Sequence, residues 1–133
     1  MADAPSAPQT GKKTILIVED ETALSKALAK TLRDAGFAVT VSEDGTDALR
    51  LVKKQKYDLV LLDIIMPNKD GFAFLSMVKE SGESGKYPII VLSNLGQEMY
   101  MEKAKELGAC EYLIKANSPM KLIVEKVQAM LGV

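Results

Sequence analysis

The chain contains no histidine. That absence removes Ser-His-Asp and Cys-His hydrolase chemistry, histidine-bearing zinc sites and any phosphohistidine on the chain itself. If a phosphoryl group were to arrive from a histidine, that histidine would belong to another molecule. The single cysteine, Cys110, cannot form an internal disulfide, which fits a reducing, cytoplasmic setting. No histidine and no adjacent Lys or Arg would activate its thiol, so it is expected to be a small residue packed near a strand start. No run of about 18 apolar residues exists, so no membrane span is expected. The formal net charge is −1, which offers no basic field to DNA or RNA, and no nucleic-acid partner is expected.

The 133 residues fit one domain, and 47% hydrophobic with 26% charged residues is an ordinary globular composition. Such a length buries a core without disulfide or metal staples. Residues 1–12 are rich in Ala, Ser, Pro and Gln with no apolar core, which predicts a disordered tail rather than a secretory signal. Residues 13–133 are expected to form the single folded domain, with no DNA-binding domain after Val133.

Five short apolar runs alternate with five helical patterns. Thr14–Val18, 37–41, Leu59–Leu62, 89–92 and Glu111–Ile114 read as strands. Leu24, Ala27, Leu28, Thr31, Leu32 and Ala35 recur at helical spacing before Gly36. A shorter helix is predicted over 46–54, with Ala48, Leu49 and Val52 inward. Asp70-Gly71 introduces a third through Phe72, Leu75 and Val78, and a fourth covers 97–107. Ser118-Pro119 predicts a helix start, with serine as N-cap and proline first in the helix. Met120, Ile123, Val124, Val127, Met130 and Leu131 form its core-facing stripe. Strict alternation implies an α/β fold: a five-stranded parallel sheet, doubly wound, with helices on both faces. Ligands of such sheets bind beyond the carboxyl ends of the strands.

Those ends carry the polar residues. The first strand runs into Glu19-Asp20, the third into Asp63, the fourth into Ser93 and the fifth into Lys115. Three carboxylates held together repel one another unless a cation joins them, and an oxygen-only set suits a hard ion such as Mg²⁺. The expected shell is Asp20, Asp63, the backbone carbonyl of Ile65 and waters, with Glu19 acting through water. A desolvated Asp63 is suited to attack phosphorus and form an aspartyl-phosphate. Lys115 supplies a compact positive charge for one phosphoryl oxygen, and Ser93 a hydroxyl. The backbone N–H groups of Ile64 and Asn94 are placed to take the other oxygens. Read singly, these residues remain open to blander roles: cap or loop acids, and a surface lysine.

Taken together they resemble a response-regulator receiver domain of two-component signalling. The matching residues are Glu19-Asp20, then Asp63 in Asp63-Ile64-Ile65-Met66-Pro67-Asn68-Lys69-Asp70-Gly71, then Ser93, Tyr112 and Lys115, in the family's order and across nearly the whole chain outside the tail. The resemblance implies a (βα)5 flavodoxin-like fold, Asp63 as phosphoacceptor, and Glu19 and Asp20 as an acidic Mg²⁺ pocket. It implies that Lys115 pairs with the phosphoryl group and that Ser93 moves to hydrogen-bond it, with Tyr112 swinging inward behind. It also implies a histidine kinase or histidine phosphotransfer protein as donor. The protein is then no enzyme beyond its own phosphoryl transfer and dephosphorylation. Output would pass by protein contact, relay or homodimerisation through the fourth helix, fifth strand and fifth helix. Met99, Tyr100 and Met101 are candidate contacts there, and equally candidates for ordinary packing.

Four residues depart from the family pattern. Ala116 stands where proline usually follows the lysine, and cis is costly without proline, so the bond there is expected to be trans, or strained if cis. Asn94 replaces a smaller residue, and its side chain is expected to restrict access to Asp63. Ile65 and Leu95 are apolar where some members place water-positioning residues, so self-dephosphorylation is expected to be slow, as a phosphoryl lifetime would show. Other readings stay in view. A Mg²⁺-dependent phosphatase-like hydrolase wants a carboxylate two residues after its nucleophile, where Ile65 stands. A flavin- or nucleotide-binding module wants a Gly, Ser or Thr cradle where Glu19-Asp20-Glu21 stand. A phosphorylation-independent binding scaffold would not require the intact Asp20, Asp63, Ser93 and Lys115 set.

Overall fold

Apolar runs without polar interruption need cover on both sides, and the chain supplies it with helices. The computed structural model describes residues 11–65, 71–82 and 85–133. Residues 1–10 of the predicted tail, and Met66 to Asp70 of the motif after Asp63, lie outside the described residues. Five strands, β1 (Thr14–Val18), β2 (Ala38–Ser42), β3 (Leu59–Leu62), β4 (Ile89–Ser93) and β5 (Glu111–Ile114), form one parallel sheet in the order β2-β1-β3-β4-β5. The helices are α1 (Thr22–Asp34), α2 (Gly45–Lys54), α3 (Gly71–Glu80), α4 (Glu98–Glu106) and α5 (Met120–Leu131).

Side-chain alternation divides the strands between two cores. Ile15, Ile17, Leu59, Leu61, Ile90, Leu92 and Leu113 pack beneath α1 and α5. Leu16, Val18, Val60, Leu62, Ile89 and Val91 pack beneath α2, α3 and α4. Each fully buried Leu or Ile contributes about 1.5–3 kcal/mol, so a charge introduced at any central strand position would cost more than the domain can offset. Doubly covered strands therefore leave polar residues one place to go, the strand ends.

Helix stops follow local chemistry. Gly36 has φ 102°, and its N–H donates to Arg33 while Phe37 N–H donates back to Leu32. This paired closure ties Phe37 to the end of α1, so β2 begins at Ala38 instead of the expected Phe37. Gly108, at φ 109°, closes α4 in the same way. Asp44 caps α2 by accepting the Asp47 N–H at 2.7 Å, and the helix starts at Gly45, one residue earlier than predicted.

Three expectations need correction. In α1 the buried face is Ser25, Leu28, Ala29 and Leu32, whereas Ala27 and Ala35 are exposed. Small residues carry too little hydrophobicity to fix the angle of the stripe. Pro119, not Ser118, stands at the N-cap position of α5, with no side-chain cap bond. The Ser118 hydroxyl instead donates to the Ile114 carbonyl at 2.7 Å, closing a 3-10 turn over Lys115–Asn117. Cys110 is exposed, because its N–H pairs with Ile89 just before β5 begins while its side chain stays outside the core. No helix among the described residues is long and apolar enough to cross a membrane.

Candidate functional site

Register brings the polar strand ends together. Val18 pairs with Leu62, so Glu19 and Asp63 emerge side by side, with the Asp63 N–H on the Val18 carbonyl at 2.9 Å. Ser93 pairs with Ile114, which places Lys115 one residue beyond. Three of these ends bend by one device. Glu19 accepts the N–H of Glu21 at 3.1 Å, Asp63 that of Ile65 at 3.2 Å, and Ser93 that of Leu95 at 3.2 Å. Each side chain satisfies the amide two residues on and turns the chain out of the sheet.

Lys115 reaches across the sheet edge. Its ammonium lies 2.9 Å from Glu19 Oε1 and 3.1 Å from Asp63 Oδ2. Both carboxylates are buried, and Asp20 beside them is half-buried. Burial is the largest influence on Glu19 and raises its pKa. The Lys115 hydrogen bond opposes that rise, while the Asp63 charge adds to it. Burial alone would lower the Lys115 pKa, but its hydrogen bond to Glu19 and the charges of Asp63 and Glu19 outweigh it, and the ammonium is held above 10.5.

One carboxylate oxygen from each of Glu19, Asp20 and Asp63 falls within a 4.8 Å cluster. Hard oxygens, converging from three acids with one cation already drawn to them, fit a divalent ion such as Mg²⁺. The cluster opens on a cavity of about 430 Å³ lined also by Ile65, Ser93, Asn94, Leu95 and Lys115. Ile64 is buried and Tyr112 is half-buried, and neither lines this cavity.

Tyr112 connects to the site through Leu95, whose carbonyl accepts its hydroxyl. Burial raises the Tyr112 pKa, so the phenol is a stable donor at neutral pH. The Ala116 N–H donates to Asn94 Oδ1 at 3.1 Å, and no described peptide bond is cis, so Lys115-Ala116 is trans as expected.

Two contributors had escaped the reading of the residues. Leu95, noted only as an apolar flank, acts through its backbone, with its N–H on Ser93 and its carbonyl on Tyr112. Gly71, noted only as a helix start, approaches the acceptor strand so closely that a Cβ there would lie 2.6 Å from the Asp63 carbonyl oxygen. Backbone groups leave no residue-type signal, although a glycine opening a helix is one hint of such an approach.

A model of the response regulator receiver domain matches residues 15–127. The chain belongs to this family. Curated relatives include the probable transcriptional regulator ycf29 of Porphyra purpurea, 36% identical over 109 residues, covering 82% of this chain and 52% of the relative. The transcriptional regulatory protein CusR of Escherichia coli K12 is 37% identical over 101 residues, covering 76% and 44%. This receiver domain thus spans about half the length of the curated relatives it matches. Their names as transcriptional regulators leave the expectation of no nucleic-acid partner without support. Among solved structures, the chemotaxis protein CheY4 of Vibrio cholerae matches with TM-score 0.83 and 27% identity over 90% of this chain and 99% of that one. The BeF3-activated N-terminal receiver domain of Klebsiella pneumoniae RstA matches with TM-score 0.80 and 28% identity, covering 90% and 98%. The five-stranded parallel sheet, doubly wound by helices, is the fold they share with this chain.

Proposed function

We propose that this receiver domain is a phosphorylation switch with Asp63 as the phosphoacceptor. The observation that carries this reading is the buried Asp63 carboxylate at a strand end, joined by Lys115 to Glu19 and opening on a cavity. One Asp63 carboxylate oxygen attacks the phosphorus of a partner's phosphohistidine. The new O–P bond forms as the P–N bond breaks, and the imidazole leaves with the electron pair. Asp20, Asp63 and the Ile65 carbonyl, with Glu19 through water, would hold Mg²⁺, which neutralises charge on the transferring group. Lys115 moves from the bare carboxylates to a phosphoryl oxygen. The N–H groups of Ile64 and Asn94 and the Ser93 hydroxyl take the remaining oxygens.

The phosphoryl group adds about 1.5–2 negative charges where the apo site balances three acids against one lysine. Ser93 gives up the Leu95 N–H to reach it. That release frees the loop on which the Tyr112 hydroxyl rests, and a pre-existing equilibrium shifts. Output passes to a protein partner, or to a second copy, through α4, β5 and α5. Met99 is 68% exposed there, whereas Met101 is half-buried and Tyr100 stacks on Phe72 with ring centroids 6.2 Å apart. Only Met99 of the three is thus a fully presented contact. Ile65, 58% exposed and two residues after Asp63, offers no acid or base for a hydrolase cycle.

The test is intact mass after incubation with Mg²⁺ and acetyl phosphate. The wild type should gain one phosphoryl group, and Asp63→Ala should gain none. Equal gain in both would place the acceptor elsewhere, and no gain by the folded wild type would favour a binding scaffold.

A further inference from the structure

Asn94 follows the hydroxyl-bearing Ser93, and Ala116 follows Lys115. Their bond joins the two strand ends just past the last paired residues, Ser93 and Ile114. The 3-10 turn that presents Lys115 has Ile114 at its cap position, with no side-chain acceptor of its own. The first amides of such a turn need an outside partner. For Ala116 that partner is Asn94 Oδ1 at 3.1 Å, while Ser118 closes the turn from its other end through Ile114. The bond requires an N–H at position 116, which alanine has and proline lacks.

We propose that Asn94 is a positioning residue: its amide ties the β4 loop to the Lys115 turn, so that Ser93 and Lys115 advance on a phosphoryl group as one unit. This rests on the switch reading of the same site. The side chain that was expected to obstruct Asp63 is here committed to the neighbouring turn. With the tie in place, Lys115 is held within 3.1 Å of Asp63 before any phosphoryl group arrives, and less ordering remains to be done in the transition state.

Obstruction and positioning predict opposite signs. The experiment is the rate of phosphoryl uptake from acetyl phosphate with Mg²⁺ in wild type, Asn94→Ala and Asn94→Leu. Leucine keeps the bulk and loses the acceptor. If Asn94 positions, both variants slow by roughly 3- to 10-fold, the effect of one lost hydrogen bond. Hydrogen exchange of the Ala116 amide should accelerate in both, with the urea midpoint nearly unchanged because Asn94 and Ala116 are exposed. If Asn94 merely obstructs, Asn94→Ala is faster and Asn94→Leu matches wild type, and the proposal is overturned. Unchanged rates in both variants overturn it equally. A folded wild type that takes up no phosphoryl group at all would sink the switch reading and this inference with it.

Discussion

The ends of β1 and β3 differ from the ends of β4 and β5, although all four meet at one cavity. The first pair carries charge: Glu19, Asp20 and Asp63, with two of the carboxylates buried and turned by their own chain's amides. The second pair carries neutral groups and one long cationic arm. Leu95 and Asn94 are linked to Tyr112 and Ala116 by single hydrogen bonds between neighbouring segments, and Ser93 holds the Leu95 amide. A buried carboxylate pair is expensive to rearrange, while a lone hydrogen bond at the surface is cheap. The difference suggests a division of labour, in which the charged half performs the chemistry and the bonded half reports it. Lys115 belongs to the second half by sequence and to the first by contact.

That comparison breaks most sharply at Lys115. Replacing it with alanine leaves Glu19 and Asp63 buried without their shared cation, which should lower the unfolding free energy by about 3 kcal/mol in the absence of Mg²⁺. Urea denaturation with and without Mg²⁺ measures this, and the metal should restore part of the loss. A stability unchanged by Lys115→Ala would mean that the acids are balanced by something other than the lysine. Gly71→Ala strikes the charged half alone. Its added Cβ would sit 2.6 Å from both the Asp63 carbonyl oxygen and Ile64 Cα, so α3 or the acceptor strand end must shift. The expected cost is about 1–3 kcal/mol, with slower phosphoryl uptake. A variant as stable and as active as wild type would show that the close approach matters little.

The smallest effect sharpens the picture through pH. Glu19 has its pKa raised above 4.5, chiefly by burial, so its ionised form is disfavoured on folding. For a group whose folded pKa is the higher one, the associated stability is fully present below the unfolded value and lost as pH rises through the folded value. Without Mg²⁺, Glu19→Gln should therefore be somewhat more stable than wild type at neutral pH. The two denaturation curves should converge as pH falls towards 4.5. A Gln variant less stable at neutral pH would mean that the Lys115 bond outweighs burial at this position.

How far the residues alone revealed this arrangement depends on which atoms carry it. Asp63 stood out because it ends an apolar run that needs cover on both faces, and Lys115 because it follows Leu113-Ile114 at a strand end opposite three acids. A charge there has to face the one open edge. Strand order and register then brought together Glu19, Asp20, Asp63, Ser93 and Lys115 as expected. Leu95 and Gly71 stayed hidden because they act through backbone, which every residue has. The face of α1 was rotated because Ala27, Ala29 and Ala35 look alike to a hydrophobic pattern. At Ser118 the hydroxyl donates to the Ile114 carbonyl and closes the preceding turn, and the helix begins one residue later, after Pro119.

The central claim is that charge arriving at Asp63 is read by the β4 and β5 ends. Backbone amide NMR spectra recorded before and after adding acetyl phosphate with Mg²⁺ test it most directly. The account predicts large shifts at Ser93, Asn94 and Leu95 and at Tyr112 and Ala116, besides those beside Asp63. Shifts confined to Glu19, Asp20 and the residues flanking Asp63 would contradict it.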